Sequence, residues 1–295
     1  KYIKLKQAYL ISIVFSASIF LGLQYLTPGY FADPDGFYHA KVSQLISSNE
    51  LNTSFPWLQF TTWTAGYADQ HYLYHWLLIP FNTIERLPLA IAVFSTLFVL
   101  AFVWALSVFK VRYKFFWTFI LLTSSIDFLF RVNLVKANTI SLILLLATVA
   151  LLYYYHSSTK LIPTLLESKK RFHALMGIIA ISAIFVWTYG GFVCVPLLFG
   201  GYGIVAVLFN HYRTNFAGFK EAFMPLLSSL LGIFAGLAVH PHRENFWQLL
   251  YDQLFITGLG AGSVIPAGNE WLPFNLVWLI QSNILLLIIW GVSIG

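Results

Sequence analysis

The chain has 295 residues, of which 59% are hydrophobic and 9% charged, with mean hydropathy +0.75 and formal charge +6. Soluble domains carry about 25% charged residues and a smaller apolar share, so a soluble globular domain is excluded. A disordered chain, a collagen and a disulfide scaffold are excluded with it; the single Cys194 lies inside an apolar run.

Crossing about 30 Å of hydrocarbon takes roughly 20 apolar residues. Eight runs qualify: Gln7–Leu26, Pro88–Phe109, Lys114–Phe130, Thr139–His156, His173–Gly190, Phe192–Asn210, Phe223–Val239 and Asn275–Ile294. The first is too long for a cleavable signal peptide, and no small-residue cleavage site follows it. The expected fold is therefore all-α and polytopic, with about eight transmembrane helices in a single membrane domain spanning residues 1–295. Two connections are long, residues 27–87 and 240–274. The chain stops at Gly295 directly after an apolar run, which is as compatible with a fragment as with a natural end.

With the N-terminus in the cytoplasm, the cytoplasmic segments hold Lys1, Lys4, Lys6, Lys110, Arg112, Lys114, Lys160, Lys169, Lys170, Arg171, Arg213 and Lys220, 12 of the 17 basic residues. Such a bias sets orientation. Nine of the 11 acids fall on the opposite side, which holds both long loops and five of the eight histidines: His39, His71, His75, His240 and His242. Polar loops on a rigid scaffold are where sites gather. In the first loop, Tyr38, Val42, Leu45 and Ile46 recur at helical spacing, and Gly36–Asn49 reads as an amphipathic helix lying on the membrane surface. Asp69–Phe81 reads as a second helix.

Four constellations on that side carry candidate chemistry. Asp33 and Asp35 flank Pro34 just after the first run. Their carboxylates suit a hard divalent cation, Mg²⁺ or Mn²⁺, that neutralises a lipid-linked phosphate; the plainer role of Asp35 is a helix N-cap. Asp69, His71 and His75 form the second group; His71 and His75, four apart, would share a helix face and reach a transition metal, or simply line an interfacial helix. Arg131, Asn133, Lys136 and Asn138 occupy a short turn whose cations would pair with a phosphate or anchor at headgroups. The second long loop opens with His240-Pro-His242-Arg243, continues through Gly258, Gly260, Gly262 and Gly268, and ends in Glu270-Trp271. It is expected to move and present Glu270, or to be a flexible loop with a belt tryptophan. Asp127, one turn from Arg131, is expected to pair with it.

Together these strings resemble the GT-C superfamily of integral-membrane glycosyltransferases, above all the oligosaccharyltransferase catalytic subunit. The family's acidic motif after the first span is matched by Asp35-Gly36-Phe37-Tyr38. Its second outer loop carries an Arg followed seven residues later by an Asp and then another acid; here Arg131 matches, but Asn138 and Ile140 stand at the acid positions. Glu270 is similar in placement to the Glu of a mobile later loop. The family's Trp-Trp-Asp acceptor motif belongs to a C-terminal domain outside this chain.

The resemblance implies a polyprenyl-phosphate or polyprenyl-pyrophosphate sugar donor and a protein, lipid or glycan acceptor reached from the periplasm, cell exterior or ER lumen, with no nucleic acid involved. It implies catalytic roles for Asp35, Asp33 and Glu270 and phosphate contacts from Arg131, Lys136 and Arg243. It also implies a divalent cation on Asp35 and Glu270, with Asp33, His39 and Asn138 as further candidate ligands. A transporter or flippase for lipid-linked sugar, or a non-catalytic membrane subunit, is the alternative. Transporters place ionisable groups near the bilayer midplane, whereas these spans are nearly free of charge.

Overall fold

The computed structural model describes residues 2–26, 34–51, 55–57, 60, 64, 66–158, 165–209, 216–253, 255 and 275–294. These are all-helical, with no strand among them. In chain order the helices are α1 (Tyr2–Leu26), α2 (Pro34–Ser47), α3 (Tyr72–Leu78), α4 (Leu87–Val108), α5 (Lys114–Thr123), α6 (Ile126–Val132), α7 (Asn138–Ser157), α8 (Leu165–Thr188), α9 (Cys194–Leu208), α10 (Phe216–Ala238), α11 (Arg243–Tyr251), α12 (Leu276–Ser282) and α13 (Ile284–Ile294).

Among the described residues, six helices are long and apolar enough to cross a membrane: α1, α4, α7, α8, α10, and α9 with the 3-10 turn that leads into it. The run Lys114–Phe130 is not one straight span. It breaks at Ser124-Ser125 into α5 and α6, bent by 92°. Ser125 causes the restart: its backbone is extended and its hydroxyl caps α6 by accepting from the Phe128 N–H at 3.2 Å. Counted as one bent span, the pair makes a seventh. The run Asn275–Ile294 forms α12 and α13, separated at Asn283, and neither is long enough alone.

The spanning helices turn large apolar side chains outward, among them Leu10, Leu97, Trp104, Leu197, Leu231 and Phe234, and bury small polar ones such as Ser12, Ser95, Thr148, Ser182 and Ser229. Lipid is as apolar as leucine, so helices in it associate through small residues that let backbones approach. α8 and α10 meet that way. A Cβ at Gly232 would collide with the Ile179 carbonyl, one at Gly236 would lie 2.8 Å from the Ala183 carbonyl oxygen, and Trp187 Nε1 donates to the Gly236 carbonyl at 2.8 Å.

One end of this bundle positions the polar cluster. α2 buries Val42, Leu45 and Ile46 with Phe55 and Tyr67. Its Ala40 joins Tyr74 and Leu78 of α3, Leu87 and Ile91 of α4, and Val135, Ala137 and Ile140 of the turn into α7. The helix expected to lie on the membrane surface packs against the bundle end. The Arg131–Asn138 turn is fixed from the bundle side: Ser95 Oγ donates to the Val132 carbonyl at 2.7 Å and Gln24 Nε2 to the Asn133 carbonyl at 3.4 Å.

Candidate functional site

The buried stripe of α2 contains two polar residues, His39 and Ser43, spaced to share one face. Both turn to α3. Ser43 Oγ donates to the His75 carbonyl at 2.9 Å, and His39 Nδ1 lies 2.7 Å from His75 Nε2. The other nitrogen of His75, Nδ1, donates to Asp69 Oδ2 at 2.6 Å. Asp69 Oδ1 accepts the His71 backbone N–H at 2.9 Å. The result is a continuous chain Asp69–His75–His39, with side chains 1% exposed at Asp69 and 0% at His75. Burial alone would raise the Asp69 carboxyl; His75 and the His71 N–H outweigh it and hold it at about 2. His39 is pushed well below the usual imidazole range by burial, then by its neighbours His75 and His71, with Lys136 adding to the effect.

His71 sits at the N-cap of α3 rather than on its face, and its Nδ1 donates to the Thr188 carbonyl at 3.2 Å. Its ring lies against Tyr189 at 5.6 Å and edge-on to His39 at 5.5 Å. Burial lowers it to about 4. The second long loop closes the cluster from above. His242 Nδ1 accepts the Asp69 N–H at 3.0 Å, His240 Nδ1 accepts the His242 N–H at 3.1 Å, and Asn245 Nδ2 donates to the Tyr67 carbonyl at 3.1 Å. Burial holds His242 low and His240 at about 4. Tyr38 and Tyr67 share a 3.2 Å hydroxyl contact, and burial followed by the Asp69 charge raises both.

All five histidines of the two long loops therefore meet in one group, and the Asp35-bearing string is attached to it. Asp35 lies in the first turn of α2, one helical turn before His39. Because α2 begins at Pro34, Asp35 is inside the helix and is not its N-cap. Its Oδ2 accepts from Lys136 Nζ at 2.7 Å, with the carboxylate 55% and the ammonium 24% exposed. Asn138, two positions after Lys136, helps line a cavity of about 380 Å³ with Phe128, Arg131, Leu142, Phe185 and Tyr189 among others. Tyr189 is shared between the cavity and the His71 ring. A larger cavity of about 480 Å³ lies at the opposite end of the bundle, among Phe109, Leu152, Tyr153, His156, Tyr202 and Phe209, away from the five clustered histidines.

Of the residues singled out in the sequence, Asp35, Lys136, His39, Asp69, His71 and His75 come together, and Arg131 and Asn138 line the adjoining cavity. Arg243 is exposed and reaches the Ala238 carbonyl at the end of α10 at 3.5 Å. Asp33 and Glu270, with most of the glycine-rich segment, lie outside the described residues. Asp127 makes no ion pair with Arg131; its Oδ2 is buried with no hydrogen-bond partner among the described residues. Two positioning residues were not apparent from spacing: Tyr189 and Thr188, at the end of an otherwise apolar span.

The described residues do not fit a metal. Both ring nitrogens of His75 are engaged, so the His71–His75 pair is not a transition-metal site. Asp35 faces Lys136, and no group of three His, Cys, Asp or Glu among the described residues is disposed to hold a divalent cation.

The described residues define an all-helical bundle with six helices, or seven with the bent pair, able to cross a membrane and a buried carboxylate–histidine cluster at one end. No family model, no curated protein and no solved structure matches the chain.

Proposed function

We propose that the protein transfers a sugar from a polyprenyl-phosphate or polyprenyl-pyrophosphate donor to an acceptor, in the manner of the GT-C glycosyltransferases its motifs resemble. The contact of Asp35 with Lys136 at 2.7 Å carries this reading, because it joins the acidic string of the first long loop to the cationic turn before α7. Breaking a glycosyl–phosphate bond develops negative charge on the leaving phosphate. Preset cations in a water-poor site stabilise it strongly. Lys136 and Arg131 are those cations. The first turn of α7 adds to them, since it has no side-chain cap and its N–H groups favour an anion. The apolar wall of the adjoining cavity, from Phe128, Leu142 and Phe185, suits a polyprenyl tail. Asp35 holds Lys136 and faces the acceptor. Asp33 and Glu270 keep the roles that the resemblance implies for them.

The reading takes the N-terminus as cytoplasmic, since 12 of the 17 basic residues then lie on that side. The site then faces the periplasm, cell exterior or ER lumen. The reading takes α12 with α13, and the bent pair α5 with α6, as two further spans beside the six, about eight in all. The test is turnover of a polyprenyl-phosphate hexose by the purified chain. Arg131→Ala and Lys136→Ala should each lower kcat/KM for the donor at least tenfold; wild-type values in both variants would remove the phosphate role.

A further inference from the structure

We propose that His39 is the base that takes the acceptor's proton, and that the acceptor is therefore a hydroxyl. This rests on the glycosyl-transfer reading and goes beyond it by naming the base and the acceptor class. The argument is a proton count along Asp69–His75–His39. The 2.6 Å contact between Asp69 Oδ2 and His75 Nδ1 holds one proton, and the 2.7 Å contact between His75 Nε2 and His39 Nδ1 holds a second. With one proton per imidazole, the second must sit on His39 Nδ1, because His75 already carries its own. That leaves His39 Nε2 as a bare lone pair, and no described residue hydrogen-bonds to it. The residue is buried and lies one turn beyond Asp35 on α2.

A proton arriving at Nε2 makes a cation that the buried Asp69 carboxylate balances through His75. His71 also feels the Asp69 charge, but its Nδ1 donates to the neutral Thr188 carbonyl, so no side-chain relay joins it to the carboxylate. His39 is thus the imidazole that hydrogen bonds join to the carboxylate, whose charge opposes the burial that holds it low. The Nδ1 proton stays on His39, donated to His75 Nε2.

In the step itself, the acceptor oxygen bonds to the anomeric carbon as the carbon–oxygen bond to phosphate breaks. The bonding pair leaves on the phosphate oxygen, which Lys136 and Arg131 face. The acceptor's proton passes to His39 Nε2. A hydroxyl becomes acidic as its oxygen forms the new bond, so a neutral imidazole suffices. A carboxamide nitrogen has its lone pair delocalised into the carbonyl and gains little from such a base.

The test uses the purified full chain with a panel of polyprenyl-phosphate hexoses as donors. The acceptors are a serine/threonine peptide, an alkyl glycoside and an asparagine peptide. Product should form on a hydroxyl acceptor. His39→Asn is the informative variant: its amide can still donate towards His75 Nε2, as Nδ1–H does, but it has no group at Nε2. It should keep the wild-type thermal midpoint and donor KM and lose about 10²- to 10⁴-fold in kcat. Asp69→Asn should lower the plateau rate and move the acid limb of the pH profile to lower pH, because removing the carboxylate weakens the base; a purely structural role would leave the limb in place. If His39→Asn does not fold, restoration of turnover in His39→Ala by added imidazole supports the base, and no restoration overturns it. Wild-type kcat in His39→Asn, or transfer to asparagine alone, overturns this inference and leaves the glycosyl-transfer reading standing. Release of no polyprenyl phosphate by the wild type from any donor overturns both.

Discussion

His39 Nδ1 and His75 Nε2 face each other at 2.7 Å across the buried contact between α2 and α3. A polar contact of this kind, at the centre of an apolar interface, couples the folding of the first long loop to the protonation of its histidines.

Stability should therefore fall on mild acidification. His71 and His240 are held at about 4, and His39 and His242 lie below their ordinary value of 6.5. A lowered folded-state value means that the unfolded chain binds protons first as pH drops. Their stabilisation is complete above about 6.5 and is lost as pH falls towards 4, by roughly 1.4 kcal/mol per pH unit for each histidine titrating in the unfolded state alone. Asp69, held at about 2, contributes stability that is lost in a lower window, from about 4 down to 2. Thermal unfolding of the purified protein at pH 7.5, 6, 5 and 4 checks this; a midpoint constant from 7.5 to 5 contradicts it.

The Asp35–Lys136 pair should matter little to the fold. Both side chains are substantially exposed, and ion pairs of this kind contribute about 0–1 kcal/mol. Asp35→Ala and Lys136→Ala should each unfold within a few degrees of the wild type in a thermal scan. A large drop in midpoint would make the pair structural.

The α8–α10 contact should resist any added bulk. Gly232→Ala forces the Ile179 carbonyl away, and overpacking costs typically about 1–3 kcal/mol. Gly201→Ala, with open space around its Cβ position, should fall within the ordinary cost of an exposed helical substitution. Equal thermal midpoints for the two variants would contradict the close approach.

Orientation is checked by labelling. In a Cys194→Ala background, Asp35→Cys should react with a membrane-impermeant maleimide added from the outer side of intact cells or spheroplasts, and Lys110→Cys only after permeabilisation. The reverse pattern would invert the assignment of the site to the outer side.

Much of this architecture was legible in the sequence because membrane helices are long and strongly apolar. Five runs correspond to α4, α7, α8, α9 and α10, and the first to α1. The bend at Ser124-Ser125 was not legible: two serines hardly lower the hydropathy of a run, whereas an extended Ser125 backbone ends a helix outright. α2 was found, but as a surface helix. Counting only Tyr38, Val42, Leu45 and Ile46 as its apolar side left out His39 and Ser43, which occupy the same buried stripe and are tolerated there because α3 supplies their partners. Five histidines confined to two loops were a readable signal that those loops meet. Which atoms touch was not readable, since contacts such as Asp69 N to His242 Nδ1 join residues 173 positions apart. The Asp127–Arg131 pair followed from helical spacing alone, and the buried Asp127 Oδ2 has no partner among the described residues.

The most direct measurement is release of polyprenyl phosphate from a polyprenyl-phosphate hexose by purified wild type and by Asp35→Ala, each shown to be folded by its thermal midpoint. The account predicts turnover by the wild type and none above background by Asp35→Ala. Equal turnover by the two proteins would contradict it.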